Sequence, residues 1–342
     1  MRYQPNKSRY TKLRYNRCGK SGLFLPPLSF GLWHNFGGSL IKKESKKIIL
    51  SAFDQGITHF DLANNYGPPP GSAEINFGKV LAKELKNYRD EIIISTKAGY
   101  DMWDGPYGEW SSKKYLISSL DQSLHRMKLD YVDIFYSHRF DPNTPLEETV
   151  EALIQIVNSG KALYIGISSY SSLQTKKINK LLKERGMRCL IHQPSYSMLN
   201  RWIENDLLNT LEQEGIGCIV FSPLAQGMLS EKYLKKIFKG SRAAEKNSFI
   251  NKKMITNDYR SKVKGLCTIA KKRNQTLPQM AIAWCLRNKR VTSVVFGARN
   301  TKQLNENIMA LKNIEFEKSE INEINKYATD SNINIWKESS DY

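Results

Sequence analysis

Eight apolar runs of strand length recur along this sequence, and their spacing is the feature that most constrains the fold. Amphipathic stretches typical of helices lie between them, such as ESKKIILSAFDQ (44–55), SKKYLISSLDQSLHRM (112–127) and LEETVEALIQIVNS (146–159). Strands that alternate with helices are joined by βαβ crossovers and form a parallel sheet. The predicted strands cover residues 26–33, 57–64, 91–98, 131–138, 161–169, 189–196, 217–224 and 291–298.

Eight such units in 342 residues predict an α/β fold, a (β/α)8 TIM barrel. The rival fold is a doubly wound sheet, whose first strand should be followed by a GxGxxG loop. Here the first strand runs into GLWHNFGG (31–38), which lacks that pattern, and the barrel is favoured. Because no long linker divides the chain, we expect one barrel domain over residues 1–342.

Several segments lie outside the repeating units. YNRCGKSGLFL (15–25) is predicted to form an N-terminal hairpin that closes the barrel's bottom, with its turn from Gly19 to Gly22. Residues 230–258 are too long and polar for an ordinary connection and are interpreted as a functional loop or clamp. TLPQMAIAWCLRN (276–288) is predicted to be a helix with proline at its start. The C-terminal extension after residue 312 has one more helical segment, KSEINEINKYAT (318–329).

The net charge of +19 raises the question of a nucleic-acid partner. The lysines are dispersed over predicted helices and no zinc-finger, helix-turn-helix or RNP-type motif accompanies them, so no nucleic-acid partner is predicted.

No apolar run reaches the length of a membrane span, and the N-terminus lacks the apolar segment of a secretory signal. The five scattered cysteines show no metal-ligand spacing, which predicts no metal, reduced thiols and a cytoplasmic location.

Polar and reactive residues stand where the predicted strands end, which is where barrel enzymes build their active sites. Each has a structural alternative: Asp61 could cap a helix, Lys97 could be a solvated strand end, and His138 could be a satisfied core histidine. Their recurrence at nearly every strand end favours an active site. In chain order these residues are Trp33, Asp61, Lys97, His138, Ser168 and Ser169, Gln193 with Tyr196, Ser222 and Gly297.

The segment FDLANNYGPPPG (60–71) places Tyr66 five residues after Asp61, beside a proline-rich loop. A tyrosine is a weak acid at pH 7, and a nearby ammonium group lowers its pKa. A buried lysine needs a carboxylate to compensate its charge. We therefore predict that Tyr66 is the proton donor, that Lys97 lowers its pKa and that Asp61 compensates Lys97. His138 would orient a substrate carbonyl.

These motifs resemble the aldo-keto reductase family over nearly the whole chain, from RCGKSGLFLPPLSFGLW (17–33) to GARNTKQLNENI (297–308). The family's Asp, Tyr, Lys and His tetrad falls on the four residues just named. The resemblance implies NADP(H) as cofactor, bound through GISS (166–169), HQPSY (192–196), FSPLAQGMLSEKY (221–233) and GARNTKQLNENI. The implied contacts are Trp33, Asp61, Ser168, Ser169, Gln193, Tyr196, Phe221, Ser222, Pro223, Leu224, Ala225, Gln226, Gly227, Lys232, Arg242, Gly297, Arg299, Gln303, Glu306 and Asn307.

One departure concerns the 2′-phosphate of NADP(H). Many members of the family hold it with a lysine after the last strand and an arginine six positions later, where this chain has Gly297 and Gln303. Arg299 and Lys302 are the local cations that could replace them. The binding of NADP rather than NAD is therefore an expectation that rests on these two residues and on the resemblance.

Within the family, the chain is similar to the branch that holds potassium-channel β subunits and bacterial L-glyceraldehyde 3-phosphate reductases. This implies reduction of L-glyceraldehyde 3-phosphate and related small aldehydes such as methylglyoxal. The alternative is an NADP(H)-binding accessory subunit with little turnover. His138 favours an enzyme, because the channel subunits carry asparagine there.

Residues 99–110 are expected to cover the substrate, with Trp33, Trp103, Tyr107 and Trp110 as pocket walls. Arg139 and Arg201 are candidates for a substrate phosphate. The tail NINIWKESSDY (332–342) is open to two interpretations: packing on its own barrel, or packing on a neighbour in a homo-oligomer.

Overall fold

Eight parallel strands close into a barrel in the computed structural model, which describes residues 3–38, 42–238, 241–244, 250–331, 333–334 and 336–340. Two short antiparallel strands precede it, β1 (Asn16–Arg17) and β2 (Phe24–Leu25). The last barrel strand pairs with both its neighbours through Val294, which lies opposite Val220 and Leu28. The barrel strands are β3 (Leu28–Gly31), β4 (His59–Asp61), β5 (Ile93–Ala98), β6 (Val132–Ser137), β7 (Ala162–Ser168), β8 (Cys189–Gln193), β9 (Gly217–Val220) and β10 (Ser293–Phe296).

Each predicted strand contains one of these eight strands, so the predicted (β/α)8 barrel is confirmed. The predicted helices are also present, each within four residues of its expected ends. The described helices are α1 (Lys43–Asp54), α2 (Ser72–Val80), α3 (Lys113–Met127), α4 (Leu146–Asn158), α5 (Ser172–Lys183), α6 (Leu207–Glu214), α7 (Asn257–Lys272), α8 (Leu277–Leu286), α9 (Thr301–Ile308), α10 (Lys318–Asn325) and α11 (Lys337–Ser340).

Alternation along the strands separates two buried layers, because successive side chains of a strand point to opposite faces. The large apolar core lies between the barrel and its helices and includes Phe30, Phe60 and Phe135. The barrel interior holds a smaller apolar cluster with Tyr136 and Ile219. It also holds polar side chains from the inward positions of β3, β4, β5 and β10, namely Ser29, His59, Asp61, Ser95, Lys97 and Ser293.

The N-terminal hairpin lies at the bottom of the barrel, as predicted. The backbone N–H of Lys20 donates to the carbonyl of Gly215, just before β9, at 2.9 Å. Gly19 has a φ of +54° and lies against the backbone of residues 215–217, so a side chain there would collide with that backbone. Cys18 and Leu25 join the apolar cluster inside the barrel and close it from below.

The predicted loop 230–258 is described except for residues 239–240 and 245–249, which lie outside the described residues. The rest contains three short 3₁₀ turns, Glu231–Tyr233, Arg242–Ala244 and Lys252–Met254. Arg242 donates to the Gln226 side chain at 2.6 Å, which ties this segment to the loop after β9. Among the described helices, none has the length and apolarity to cross a membrane.

Two histidines are fully buried in or beside the barrel wall, and both are held uncharged. Burial lowers the pKa of His59 to about 4 and that of His192 to about 3, from a usual value of 6.5. The unfolded chain therefore binds more protons than the folded protein between about pH 6.5 and pH 4.

We predict that the free energy of unfolding falls as the pH is lowered from 6.5 to 4, by roughly 1.4 kcal/mol per pH unit for each such histidine. Carboxylates titrate in the same range, so the comparison is between wild type and His192→Asn in urea unfolding at several pH values. The variant should show the shallower dependence on pH. Equal slopes would contradict the prediction.

Candidate active site

A buried ion pair lies at the centre of the barrel mouth. Lys97, on β5, donates from Nζ to Oδ2 of Asp61 at 2.6 Å and to the carbonyl of Leu62 at 2.7 Å. Neither side chain of the ion pair is exposed to solvent by more than 1%. Burial lowers the pKa of Lys97 from its usual value, and the charge of Asp61 opposes this change. Asp61 also accepts from Nε2 of Gln193 at 3.0 Å, so three strands contribute to the site.

Tyr66 lies directly above this ion pair. Lys97 Nζ is 5.1 Å from the centroid of the Tyr66 ring, and Trp33 stacks on that ring at 5.3 Å between centroids. Burial raises the pKa of the Tyr66 hydroxyl well above its usual value of 10, and Asp61 adds to the increase. The direction is opposite to the one expected from the sequence, because burial disfavours the charged phenolate and the charge of Asp61 disfavours it further.

His138 lies beside the tyrosine at the end of β6. Its ring meets those of Tyr66 and Tyr100 edge-on, at 6.1 Å and 4.7 Å between centroids. Burial lowers the pKa of His138 well below its usual value, and the charges of Lys97 and Arg139 act in the same direction. The ring is therefore neutral and carries one N–H. Its Nδ1 is buried without a hydrogen-bond partner among the described residues.

A cavity of about 760 Å³ opens above these residues at the C-terminal ends of the strands. Its volume lies in the range of sites for small molecules and cofactors. The structure brings together there most of the residues singled out from the sequence. They are Trp33, Asp61, Tyr66, His138, Ser168, Ser169, Gln193, Phe221, Ser222, Pro223, Leu224, Gln226, Gly227, Lys232, Arg242, Gly297, Arg299, Gln303, Glu306 and Asn307.

Other predicted residues do not line this cavity. Lys97 lies beneath it, and Ala225 is buried in the turn that follows Leu224. Tyr196, the expected stacking partner of a cofactor ring, is buried instead against Trp284, with its hydroxyl bonded to Glu204. Phe221 occupies the cavity wall on this side.

The expected substrate-pocket walls are also only partly correct. Trp103 packs on Tyr115, Tyr107 is 56% exposed, and Trp110 lies under the guanidinium of Arg139, so none of the three lines the cavity. Arg139 does line it and is ion-paired with Glu109. Arg201 bonds to Glu204, Asn325 and the carbonyl of Ala328, away from the cavity.

Several lining residues were not singled out from the sequence, because loop conformation rather than strand periodicity places them. They include His34, Asn65, Tyr100, Trp336, Glu338 and Ser339. Trp336 comes from the tail and meets the Phe221 ring edge-on at 4.6 Å, so this part of the tail packs on its own barrel. Residues 332, 335 and 341–342 of the predicted tail lie outside the described residues.

Unusual backbone conformations cluster around the cavity. Eight described residues other than glycine have positive φ, and four of them line the cavity: His34, Ser169, Ser222 and Gln226. Such conformations cost of order 1–3 kcal/mol each and are retained mainly at functional sites.

Cationic side chains mark one side of the cavity, contributed by Lys232, Arg242 and Arg299. Burial lowers the pKa of His34 to about 4, and the charges of Arg242 and Arg299 contribute. Lys302, expected beside Arg299, is instead exposed, does not line the cavity and pairs with Glu306 at 4.0 Å. Asn307 is buried at this side, with its Nδ2 unpartnered among the described residues.

The fold and this site define the class: a (β/α)8-barrel enzyme whose deep cavity ends on an Asp–Lys ion pair, a tyrosine and a neutral histidine. The chain belongs to the aldo/keto reductase family, a family of oxidoreductases, and the family model matches residues 27–329.

Curated relatives of two kinds are similar to this chain. The L-glyceraldehyde 3-phosphate reductase of Escherichia coli K12 is 54% identical over 340 residues, which cover 98% of each chain. A probable voltage-gated potassium channel subunit beta of Arabidopsis thaliana is 38% identical over 306 residues, which cover 87% of this chain and 91% of that protein. A rice protein of the same name is 36% identical over 306 residues.

Removing one partner of the buried ion pair should cost much more stability than removing one partner of an exposed pair. We predict that Asp61→Asn, which leaves the ammonium of Lys97 buried without its counter-ion, lowers the free energy of unfolding by about 3–5 kcal/mol. Asp121→Asn is the matched control, because Asp121 pairs with Lys161 at 2.7 Å on the surface. It should cost less than about 1 kcal/mol. Similar losses in urea unfolding would contradict the prediction.

Proposed function

We propose that this protein is an NADPH-dependent aldehyde reductase, and that L-glyceraldehyde 3-phosphate is its main substrate. The observation that carries the proposal is the placement of Tyr66 and His138 at the floor of the cavity, above the ion pair of Lys97 and Asp61. The name of the E. coli relative supports the substrate. Methylglyoxal is proposed as a further substrate, and the whole chain as one cytoplasmic barrel domain without a nucleic-acid partner.

The cavity suits a dinucleotide cofactor in two respects. It has cations on one side for phosphate groups, and buried polar atoms of His138 and Asn307 are left without a protein partner among the described residues. We propose that Arg242, Arg299 and Lys232 hold the phosphates, that Gln303, Glu306 and Asn307 hold the adenosine end, and that Ser168 and Gln193 hold the nicotinamide amide.

NADPH, when bound, supplies a hydride to the carbonyl carbon of the substrate. The chain's own residues supply the proton. Tyr66 retains its proton at neutral pH, because burial raises its pKa, and it donates that proton to the carbonyl oxygen. As negative charge develops on the phenolate oxygen, the ammonium of Lys97 beside the ring stabilises it. The neutral ring of His138 donates its N–H to the carbonyl oxygen and orients the substrate.

A second candidate function is an accessory subunit that binds NADP(H) with little turnover, since potassium-channel subunits beta are 36–38% identical. The two functions differ in turnover and agree in cofactor binding. A panel of aldehydes distinguishes them: both enantiomers of glyceraldehyde 3-phosphate, methylglyoxal and simple aldehydes, measured as steady-state NADPH oxidation. Fast oxidation with the L enantiomer supports the reductase, and no oxidation with any aldehyde supports the accessory subunit.

Substitution of Tyr66 tests the proposed chemistry. Tyr66→Phe keeps the ring and removes the transferable proton. Single-turnover NADPH oxidation should therefore slow by about 10²–10⁴-fold, while the affinity for NADPH changes little. His138→Asn should lower turnover and still bind cofactor. The matched control is Tyr107→Phe, because Tyr107 is exposed and does not line the cavity. A Tyr66→Phe variant as fast as this control would refute the role of Tyr66.

We also predict that NADPH binds more tightly than NADH, because Arg299 lines the cavity among its cations and is proposed to contact the 2′-phosphate. One charge-assisted hydrogen bond contributes about 1.5–3 kcal/mol. Arg299→Gln should therefore lower the ratio of the NADH to the NADPH dissociation constant, measured by fluorescence titration, by roughly tenfold or more. Lys302→Gln is the control, because Lys302 does not line the cavity. Equal dissociation constants of the wild type for the two cofactors would contradict the prediction.

A further inference from the structure

A chain of hydrogen bonds crosses the barrel interior and ends on Asp61. Ser293 and Ser29 are 2.7 Å apart at their hydroxyl oxygens, and Ser29 Oγ is 2.8 Å from Nδ1 of His59. Nε2 of His59 is 2.9 Å from Oγ of Ser95, which donates to Oδ1 of Asp61 at 2.8 Å. All five side chains are at least 99% buried, so water does not compete for these bonds.

The direction of every bond follows from its two ends. Asp61 is a carboxylate paired with Lys97, so it only accepts, and the single hydroxyl proton of Ser95 must point to it. Ser95 therefore has no proton for His59, and Nε2 of His59 must donate. A buried, neutral His59 then has a bare Nδ1, which accepts from Ser29. Ser29 in turn has no proton left for Ser293, so Ser293 donates to Ser29. All four protons point towards Asp61.

This polarity has a consequence for the carboxylate. If His59 had its proton on Nδ1, then Nε2 would be an acceptor and would compete with Asp61 for the proton of Ser95. With its proton on Nε2, His59 leaves Ser95 only one acceptor. Ser95 and Gln193 then fix Oδ1 of Asp61 from two strands, while Oδ2 remains for Lys97.

We propose that Ser95 is a positioning residue for the reduction reaction, held in its donor role by His59, and that it fixes the Asp61 carboxylate so that Lys97 stays beside Tyr66. The proposal rests on the proposed function above, in which Lys97 stabilises the charge that develops on Tyr66. It assigns a role to the inward residues of β4 and β5 that lie two positions before Asp61 and Lys97.

The chain offers a closely matched control on the same strand. Thr96 follows Ser95 and points to the other face of β5, where its Oγ1 donates to Oε1 of Glu74 at 2.5 Å. Thr96 and Glu74 are both fully buried, and Glu74 is ion-paired with Arg126 at 2.7 Å. Ser95→Ala and Thr96→Val each delete one buried hydroxyl that donates to an ion-paired carboxylate, and only the first of these carboxylates belongs to the site.

The kinetic test compares Ser95→Ala, Ser95→Thr and Thr96→Val with wild type, by kcat and KM for the best aldehyde and by the Kd of NADPH. Loss of a hydrogen bond to a charged group predicts a kcat lower by roughly tenfold or more in Ser95→Ala, with KM and Kd within about threefold. Ser95→Thr keeps the hydroxyl and should restore most of kcat. Thr96→Val should have a kcat within about twofold of the wild-type value. Equal effects of Ser95→Ala and Thr96→Val on kcat would overturn the proposal.

A second measurement does not depend on activity. Nitrogen-15 NMR of labelled histidine, with His59→Gln to assign its signals, reports which ring nitrogen of His59 carries the proton at pH 7. The proposal requires a protonated Nε2 in wild type and in Thr96→Val, and a proton on Nδ1 would overturn it. If no aldehyde of the panel supports NADPH oxidation by the wild-type protein, the proposed function fails. The tautomer of His59 alone then decides whether the hydrogen-bond chain is directed at Asp61.

Discussion

The buried ion pair between Lys97 and Asp61 is the interaction on which the barrel mouth depends. A buried ammonium group costs several kcal/mol unless a partner compensates its charge. The partner must be held in place, because water does not reach the pair and cannot take over its role. The register of β4 and β5 places Asp61 beside Ser95, two residues before Lys97, so both charges point inward on adjacent strands. Leu62, Gln193 and Ser95 complete the hydrogen bonds of the pair. The rings of Tyr66 and Tyr136 lie 5.1 and 5.5 Å from Nζ, and they exclude water from it.

The barrel interior is divided into a polar side and an apolar side. Tyr136, Ile191 and Ile219 fill one side of the interior, where β6, β8 and β9 contribute apolar side chains. The hydroxyls and the imidazole from β3, β4, β5 and β10 fill the other side, and each is hydrogen-bonded. A buried polar group without a hydrogen-bond partner is costly, and the bonds among these side chains join them into one connected network. The apolar contacts between the barrel and its helices stabilise the frame that holds the network.

Much of the fold could be predicted from the sequence, because strand and helix periodicities are local signals. The residues at the strand ends could also be located, since a parallel barrel brings all of these ends to one rim. The direction of loop side chains could not be predicted, because it depends on loop conformation. Tyr196, Trp103 and Trp110 pack outside the cavity, whereas Trp336 and Tyr100 line it. The hydrogen-bond chain did have a signal: Ser95 and His59 are polar residues at the inward positions of two buried strands.

Barrel closure has a consequence for refolding. The pairing of β10 with β3 joins Leu28 and Val294, which are 266 positions apart, and contacts between such distant residues form slowly. Asp61, Tyr66, Lys97 and His138 all lie in the first 138 residues, whereas Arg299 and Asn307 come after β10. A partly folded chain can therefore assemble the ion pair before the cation-lined rim exists. Regain of the proposed cofactor binding during refolding would then report when the first and last barrel strands join. Helix content forms from local contacts and does not report this step.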